Sequence, residues 1–400
     1  MRVTQSLIQT QFLTGIATLE ANLSATQNQI TSAKSFTTAS QNPTAAGAVN
    51  NYNQALAQSQ QYDTNGNSAQ TRLSTEDSTL SQVQSQLQSL RDLALQANNS
   101  TLSSADRKAI ATQAAQIQSS LIGLANTQDG NGEYLFGGFS TQTQPFTLSA
   151  AGATYNGDQG QRQVQIAPGQ TIPDGDSGDS VFNQIKNGNG TFAATAAAAN
   201  TGTGILGATT VSNPAAYAAG NGIYSINFTA PGTYEVRDST NALVSTGSYT
   251  DGSTISFAGV QVTLNGTPAA GDSFAVAPST NQSVFATVQS LVTALQSGGN
   301  SSAATAQLNN SIGNSINNID QALAQMSNVR SSVGARLNSI TAQQSVSSSQ
   351  QIQLQTTISG LQSLDFASAI TTLDQENTTL SAALQAFTLT QGLSLFKFIQ

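Results

Sequence analysis

The residues that could do chemistry in this chain are few and scattered. Gly202, Gly204 and Gly207 spell GxGxxG, a spacing that in dinucleotide sites turns a strand into a helix and lets the backbone approach a pyrophosphate. Here an Ala-rich piece precedes the glycines, and Asn227 stands where the ribose-binding acid would be. They read as loop glycines. Asp174, Asp176 and Asp179 in PDGDSGDS offer the closely spaced oxygens of a calcium loop. The twelfth position is Ile185, however, not the bidentate glutamate that closes an EF-hand. They read as a solvated acidic turn. Glu76, Asp77, Arg91 and Asp92 could form an acid–base set, but on helices such residues more simply make ion pairs worth about a few tenths of a kcal/mol each. Arg330 is a cation on an otherwise apolar seam, where it either fixes register and partner or snorkels at a bundle edge.

The composition argues against catalysis more broadly. The 400 residues include no His and no Cys, so the commonest general base, the thiol nucleophile and the usual transition-metal ligands are missing. No catalytic residue, cofactor or metal ligand is expected. Charged residues make up only 8%, against about a quarter in ordinary domains, so Ser, Thr, Asn and Gln must solvate the surface. With a net charge of -8 and 12 basic residues scattered singly except Arg107-Lys108, there is no basic patch for phosphates. Nucleic acid is not an expected partner. No apolar run approaches the roughly 18 residues of a membrane span, and the N-terminus lacks the pattern of a cleavable signal peptide. Neither a membrane partner nor a signal-peptide export route is expected.

What the chain does have is seams. From Asp365 to Gln400 the apolar positions Phe366, Ile370, Leu373, Leu380, Leu384 and Phe387 alternate in steps of four and three, interrupted only at Asn377. Phe12, Ile16, Leu19, Leu23 and Ile30 repeat that alternation at the other end, with one polar gap near Thr26. Neither helix can bury its seam alone, so each needs the other end of the chain or another subunit. These eleven residues are the expected assembly interface.

Between the ends, TTASQNPTAA (37–46) reads as a turn or short linker around Pro43. Leu73, Leu80, Val83, Leu87, Leu90, Ala94 and Ala97 predict a long helix ending at Asn98-Asn99-Ser100, with Gly66 weakening its upstream part. Ser103 or Ser104 with Asp106 predicts the cap of a further helix carrying Ile110, Ala114, Ile117, Leu121 and Leu124. NGEYLFGGFS (131–140) suggests a tight hairpin packed on the helices. From about Thr141 to Gln282, Gly and Pro concentrate, period-two alternation appears at Tyr224, Ile226 and Phe228 and again at Val260, Val262 and Leu264, and three basic residues face eight acidic ones. This is a β-rich insertion; its Ala-rich piece from Thr191 to Asn200 has no clear period. Helical pattern resumes near Ser283 and runs from Ile312 through Ile340, then across a Ser/Gln stretch free of Gly and Pro, until the register slips at Ser363-Leu364-Asp365.

The expectation is thus a mainly α protein, a long coiled-coil or helical-bundle rod formed by the N- and C-terminal segments, with both termini at one end. Residues 1–43 and 363–400 would form a terminal coiled-coil assembly domain, 44–140 and 283–362 a helical rod domain with a hairpin, and 141–282 an inserted β-rich outer domain. Deleting Asp365 to Gln400 should leave a folded monomer that cannot assemble.

MRVTQSLIQTQFL at the start, Lys34 with Asn42-Pro43, NGEYLFGGFSTQTQPF, GTPAAGDSFAV at Gly266 to Val276 and the closing GLSLFKFIQ together resemble the hook-filament junction family of flagellin-like flagellar proteins. The resemblance covers both ends and the nested order, about two-thirds of the chain. It implies a non-enzymatic structural subunit of the bacterial flagellum, exported unfolded by the flagellar type III apparatus. Such a subunit would self-assemble extracellularly between an adjacent hook-associated protein and flagellin, with an export chaperone as a further partner. In that family the terminal helices are mostly disordered in the monomer and form a coiled-coil tube on assembly. The family commonly has acidic residues where this chain has Gln41-Asn42. Two alternatives remain at this point. One is a flagellin filament subunit, although SAKSFTTASQNP departs from the run that follows the first helix in flagellins; the other is a cell-surface adhesin working through the β-rich part.

Overall fold

The computed structural model describes residues 2–99, 102–297, 299 and 301–396, with the backbone alone for 2–5 and 391–396. Met1 of the opening motif, Ser100 at the expected helix end and Lys397–Gln400 of the closing motif lie outside the described residues. Among the described residues, seven α-helices run Arg2–Ser32 (α1), Pro43–Ala97 (α2), Ser104–Ala125 (α3), Pro214–Ala219 (α4), Val284–Ser297 (α5), Ser302–Gln362 (α6) and Phe366–Phe396 (α7). None of these is long and apolar enough to cross a membrane. The chain divides into two compact units, Met1–Thr64 with Gln343–Gln400, and Asn65–Ala342.

In the first unit the helix ends are set by capping. Asn42 is the cap of α2: its side-chain carbonyl accepts from the Ala45 amide at 3.0 Å, and Pro43 follows at a position where a missing N–H costs nothing. Gln41 accepts from the Thr37 amide at 2.6 Å, closing the turn before it. The neutral Gln41-Asn42 pair therefore does the turn and capping work by amide hydrogen bonds. Asp365 caps α7 in the same way, accepting from the Ala367 and Ser368 amides at 3.1 and 3.2 Å. The register slip read at Ser363–Asp365 is a real break between two helices. α6 runs without interruption through its Ser/Gln stretch because its hydroxyls bond back to carbonyls one turn earlier, as Ser349 does to Ser345 at 3.0 Å and Thr356 to Ile352 at 2.8 Å. Satisfied in this way, they no longer compete for the helical backbone.

The second unit holds two apolar cores. In the first, the α2 residues Leu73, Leu80, Val83, Leu87 and Leu90 are fully buried, together with Ile110, Ala114 and Leu121 of α3, Phe285 and Leu291 of α5, and Ile312, Ile319, Met326 and Val333 of α6. Four phenylalanines close this core: Phe146 lies 4.9 Å from Phe285 and 5.5 Å from Phe182, with Phe182 5.1 Å from Phe136. α3 begins as its sequence promised, with a reciprocal box between the Ser103 and Asp106 side chains and backbones. Gly66 does not end α2; it is a buried residue inside the helix.

The segment 131–140 departs from expectation. In place of a hairpin, it is a succession of turns closed by a single bridge between Gln128 and Tyr134. Asp129 takes the amides of Asn131 and Glu133, and Asp158 takes those of Phe139 and Gly160, so carboxylates satisfy the backbone where a ladder would have. The two-stranded hairpin forms just downstream, Phe146–Ser149 with Gly152–Tyr155.

The second core is all β. A five-stranded antiparallel sheet runs in the order Leu243–Ser248, Thr233–Asp238, Tyr224–Ala230, Ser273–Pro278, Phe192–Ala196. A three-stranded one runs Thr254–Phe257, Val260–Asn265, Ile205–Val211. Their inward residues, among them Tyr224, Ile226, Phe228, Val260, Val262 and Phe274, form one cluster. The Ala-rich piece without a period contributes the edge strand Phe192–Ala196.

Candidate functional site

α1 and α7 are the elements whose seams the sequence singled out, and the chain brings them side by side. Where α1 ends, Ala33 adopts a left-handed conformation at φ 58°. The backbone then pairs antiparallel with the α6–α7 junction: Ser35 donates to Gln362 at 2.7 Å, Leu364 to Ala33 at 3.3 Å, and Lys34 bridges Ser363. From that staple the two helices run antiparallel, and Phe12 meets Phe387 with ring centroids 6.3 Å apart.

On α1 the expected residues are the less exposed ones. Ile16 is buried and Phe12, Leu19, Leu23 and Ile30 are half-buried. Thr26, read as a gap in the seam, is buried too, its hydroxyl small enough to complete the steps of four and three. On α7 the seam is rotated. Leu373, Leu380 and Phe387 are half-buried, but Phe366, Ile370 and Leu384 stay 47%, 50% and 43% exposed. The inward positions that sequence reasoning missed are Ala369, Glu376 and Ala383, one residue before Ile370, Asn377 and Leu384. Their seven-residue spacing was visible, but small and charged residues carry no apolar signal. Small Ala369 and Ala383 thus take the more covered positions, while the larger Ile370 and Leu384 one position on stay exposed.

Each helix therefore hides one side on the other and leaves a second apolar side open. On α7 this is Phe366, Ile370, Leu384 and Leu389; on α1 it is Leu7, Ile8 and Leu13. Ile8, Phe12, Gly15, Leu19 and Ala383 line an open apolar groove, and nothing lies within 4 Å of where a side chain on Gly15 would begin. Charge is sparse here: Glu20, Asp374 and Glu376 are the only ionisable residues in 6–32 and 366–390. Glu376 keeps one carboxylate oxygen buried without a partner. What this surface can do is pack.

The other candidates are engaged elsewhere. Gly202 donates its amide to Asp272 at 3.0 Å, and Asn310 donates to the Gly204 carbonyl at 2.9 Å, so these glycines lead into the strand Ile205–Val211 instead of ending one. Of the three aspartates, Asp174 pairs with Arg162 at 2.6 Å, Asp176 with Arg336 at 2.8 Å, and Asp179 accepts from Gln159 and Gln184. Their carboxylates point to separate protein donors. Arg330 pairs with Asp77 at 2.9 Å and Arg91 with Asp320 at 2.6 Å, cross-helix bonds whose hydrogen bonding raises both guanidinium pKa values. Glu76 is wholly buried, which pushes its carboxyl well above the usual range.

Residues 3–141 match the bacterial flagellin N-terminal helical region and residues 316–399 the bacterial flagellin C-terminal helical region. Residues 195–278, within the strand-rich part, match the D2-like domain of flagellar hook-associated protein 1. Helical ends of the flagellin type on both sides of a strand-rich insertion define a flagellin-like flagellar subunit. Flagellar hook-associated protein 3 of Salmonella typhimurium is 34% identical over 185 residues, 46% of this chain and 58% of that protein, so the chain spans little more than half the length of this relative. The crystal structure of Xanthomonas campestris FlgL is 41% identical and superposes with a TM-score of 0.72, covering 77% of this chain and 99% of that one. Hook-associated protein 3 of Legionella pneumophila gives 30% identity and a TM-score of 0.74 over 78% of this chain and 98% of its own. On this likeness the chain belongs to the FlgL, or hook-associated protein 3, family.

Proposed function

We propose that the chain is a structural, non-catalytic subunit of the bacterial flagellum that joins the hook side to the flagellin filament, polymerising through α1 and α7. The observation that carries this reading is the unfilled apolar side on each terminal helix, in a family of flagellar hook-associated proteins. Phe12, Ile16, Leu19, Leu23, Ile30, Leu373, Leu380 and Phe387 would hold the α1–α7 pair together. Phe366, Ile370 and Leu384 would meet other copies. The partners are further copies of the chain, an adjacent hook-associated protein, flagellin and an export chaperone. The place of action is extracellular, reached by the flagellar type III apparatus. In domain terms, 1–43 with 363–400 would assemble, 44–140 with 283–362 would support, and 141–282 would face outward.

The test is electron microscopy of a strain deleted for the gene, with antibody labelling of the complemented strain. Hooks that lack filaments, and a single short band of label at the filament base, are the expected results. Label along the whole filament would make the protein a filament subunit, and label on the cell envelope an adhesin.

A further inference from the structure

The acidic turn that the assembly reading leaves unused is bound into a buried charge cluster in the second unit. Asp174 and Asp176 flank Gly175, and an atom added at Gly175 would lie 3.5 Å from Arg72 Nε and 3.8 Å from Glu76 Oε2, so the turn sits directly on α2. Arg336 of α6 reaches both oxygens of Asp176 at 2.8 Å. Arg162 clasps Asp174 at 2.6 Å and Glu133 at 3.1 Å, and Arg72 pairs with Asp129 and bonds the Tyr134 carbonyl.

Counting these groups gives three guanidiniums against five carboxyls. Four of the carboxyls, Asp129, Glu133, Asp174 and Asp176, have an arginine partner. The fifth, Glu76, is 1% exposed, and its Oε1 has no hydrogen-bond partner. The burial of Glu76, in a cluster already richer in carboxyls than in guanidiniums, favours a proton on this one carboxyl without an ion-pair partner. Burial first, and Asp176 beside it second, hold the Glu76 carboxyl well above the usual range, while Arg336 and Arg72 pull less strongly the other way.

We propose that Glu76 is a proton-held latch: its neutral carboxyl donates to Asp176 and seats the 174–178 turn between α2 and α6, and loss of that proton frees the turn. The sign follows from linkage. A carboxyl that binds its proton more tightly in the fold than in the open chain stabilises the fold below the ordinary glutamate pKa. That contribution is lost as pH rises through the raised, folded value. Glutamine has the shape of a neutral glutamic acid and still donates, so Glu76→Gln keeps the latch closed at every pH.

The test is urea unfolding of the full-length wild type and Glu76→Gln from pH 5 to 9, with amide hydrogen exchange across 174–178 at each pH. Between the ordinary glutamate pKa and the raised, folded one, the wild-type unfolding constant should rise about tenfold per pH unit relative to Glu76→Gln, the signature of one proton, with the 174–178 amides losing protection in parallel. An infrared carboxylic C=O band in the wild type at about pH 5, absent from Glu76→Gln and fading as pH rises, gives the same answer without relying on variant stability. Parallel stability profiles with equal protection, or no carboxylic band, would overturn the latch.

Discussion

Replacing Ile370 and Leu384 together by alanine separates folding from assembly. Both lie on the open side of α7, 50% and 43% exposed, so shortening them leaves the α1–α7 seam residues in place and changes monomer stability by about 0.5 kcal/mol each. Burying a whole Ile or Leu side chain contributes about 1.5–3 kcal/mol, so covering the exposed half of each contributes about 1 kcal/mol. The double variant thus forfeits about 2 kcal/mol per subunit on assembly, a rise of about 30-fold in the concentration needed to associate. Thermal unfolding of the monomer and sedimentation of the assembling protein read the two effects separately. Ile16→Ala is the contrast: buried on the seam, it should cost about 2–5 kcal/mol in the α1–α7 pair itself. If Ile370→Ala/Leu384→Ala melts like Ile16→Ala, or assembles at the wild-type concentration, the reasoning about which side of α7 is open is wrong.

Asn42→Ala removes the cap of α2 and should cost about 1 kcal/mol, seen as a lower melting temperature of the full chain. Gly15→Ala meets no atom within 4 Å, so α1 should gain about 0.5–1 kcal/mol of helix stability in melting experiments while the added methyl narrows the groove and weakens assembly. The Phe139 amide, then the Ser140 hydroxyl and Gly160 amide, hold the Asp158 carboxylate below its ordinary range. Its contribution is therefore present above the usual aspartate value of about 3.9 and lost as pH falls through the folded one. Asp158→Asn should unfold with a shallower acid limb, read by near-ultraviolet circular dichroism.

The long helices were legible because their cores are spelled in large apolar residues at regular steps, as from Leu73 to Ala97 on α2 and Ile312 to Ile340 on α6. The strand Phe192–Ala196 was not, because alternate alanines carry almost no contrast between the two faces of a sheet. The same weakness explains α7: its more covered side includes Ala369 and Ala383, and the more hydrophobic residues beside them are the exposed ones. Sequence periodicity finds the greasiest stripe of a helix, and on a helix with two partners that stripe need not be the one filled first. The Glu76 cluster was illegible for another reason. Its members come from α2, α6 and three connecting segments, up to 264 positions apart between Arg72 and Arg336, and no spacing rule relates them.

If other copies cover the open side of α7, a thiol placed there reports it directly, because the chain contains no cysteine of its own. Ile370→Cys places one thiol on that side, and its rate of modification by a maleimide can be compared in the monomer and in assembled flagella. Rapid labelling of the monomer and strong protection after assembly are expected; equal labelling in both states would mean that no other copy covers this side of α7.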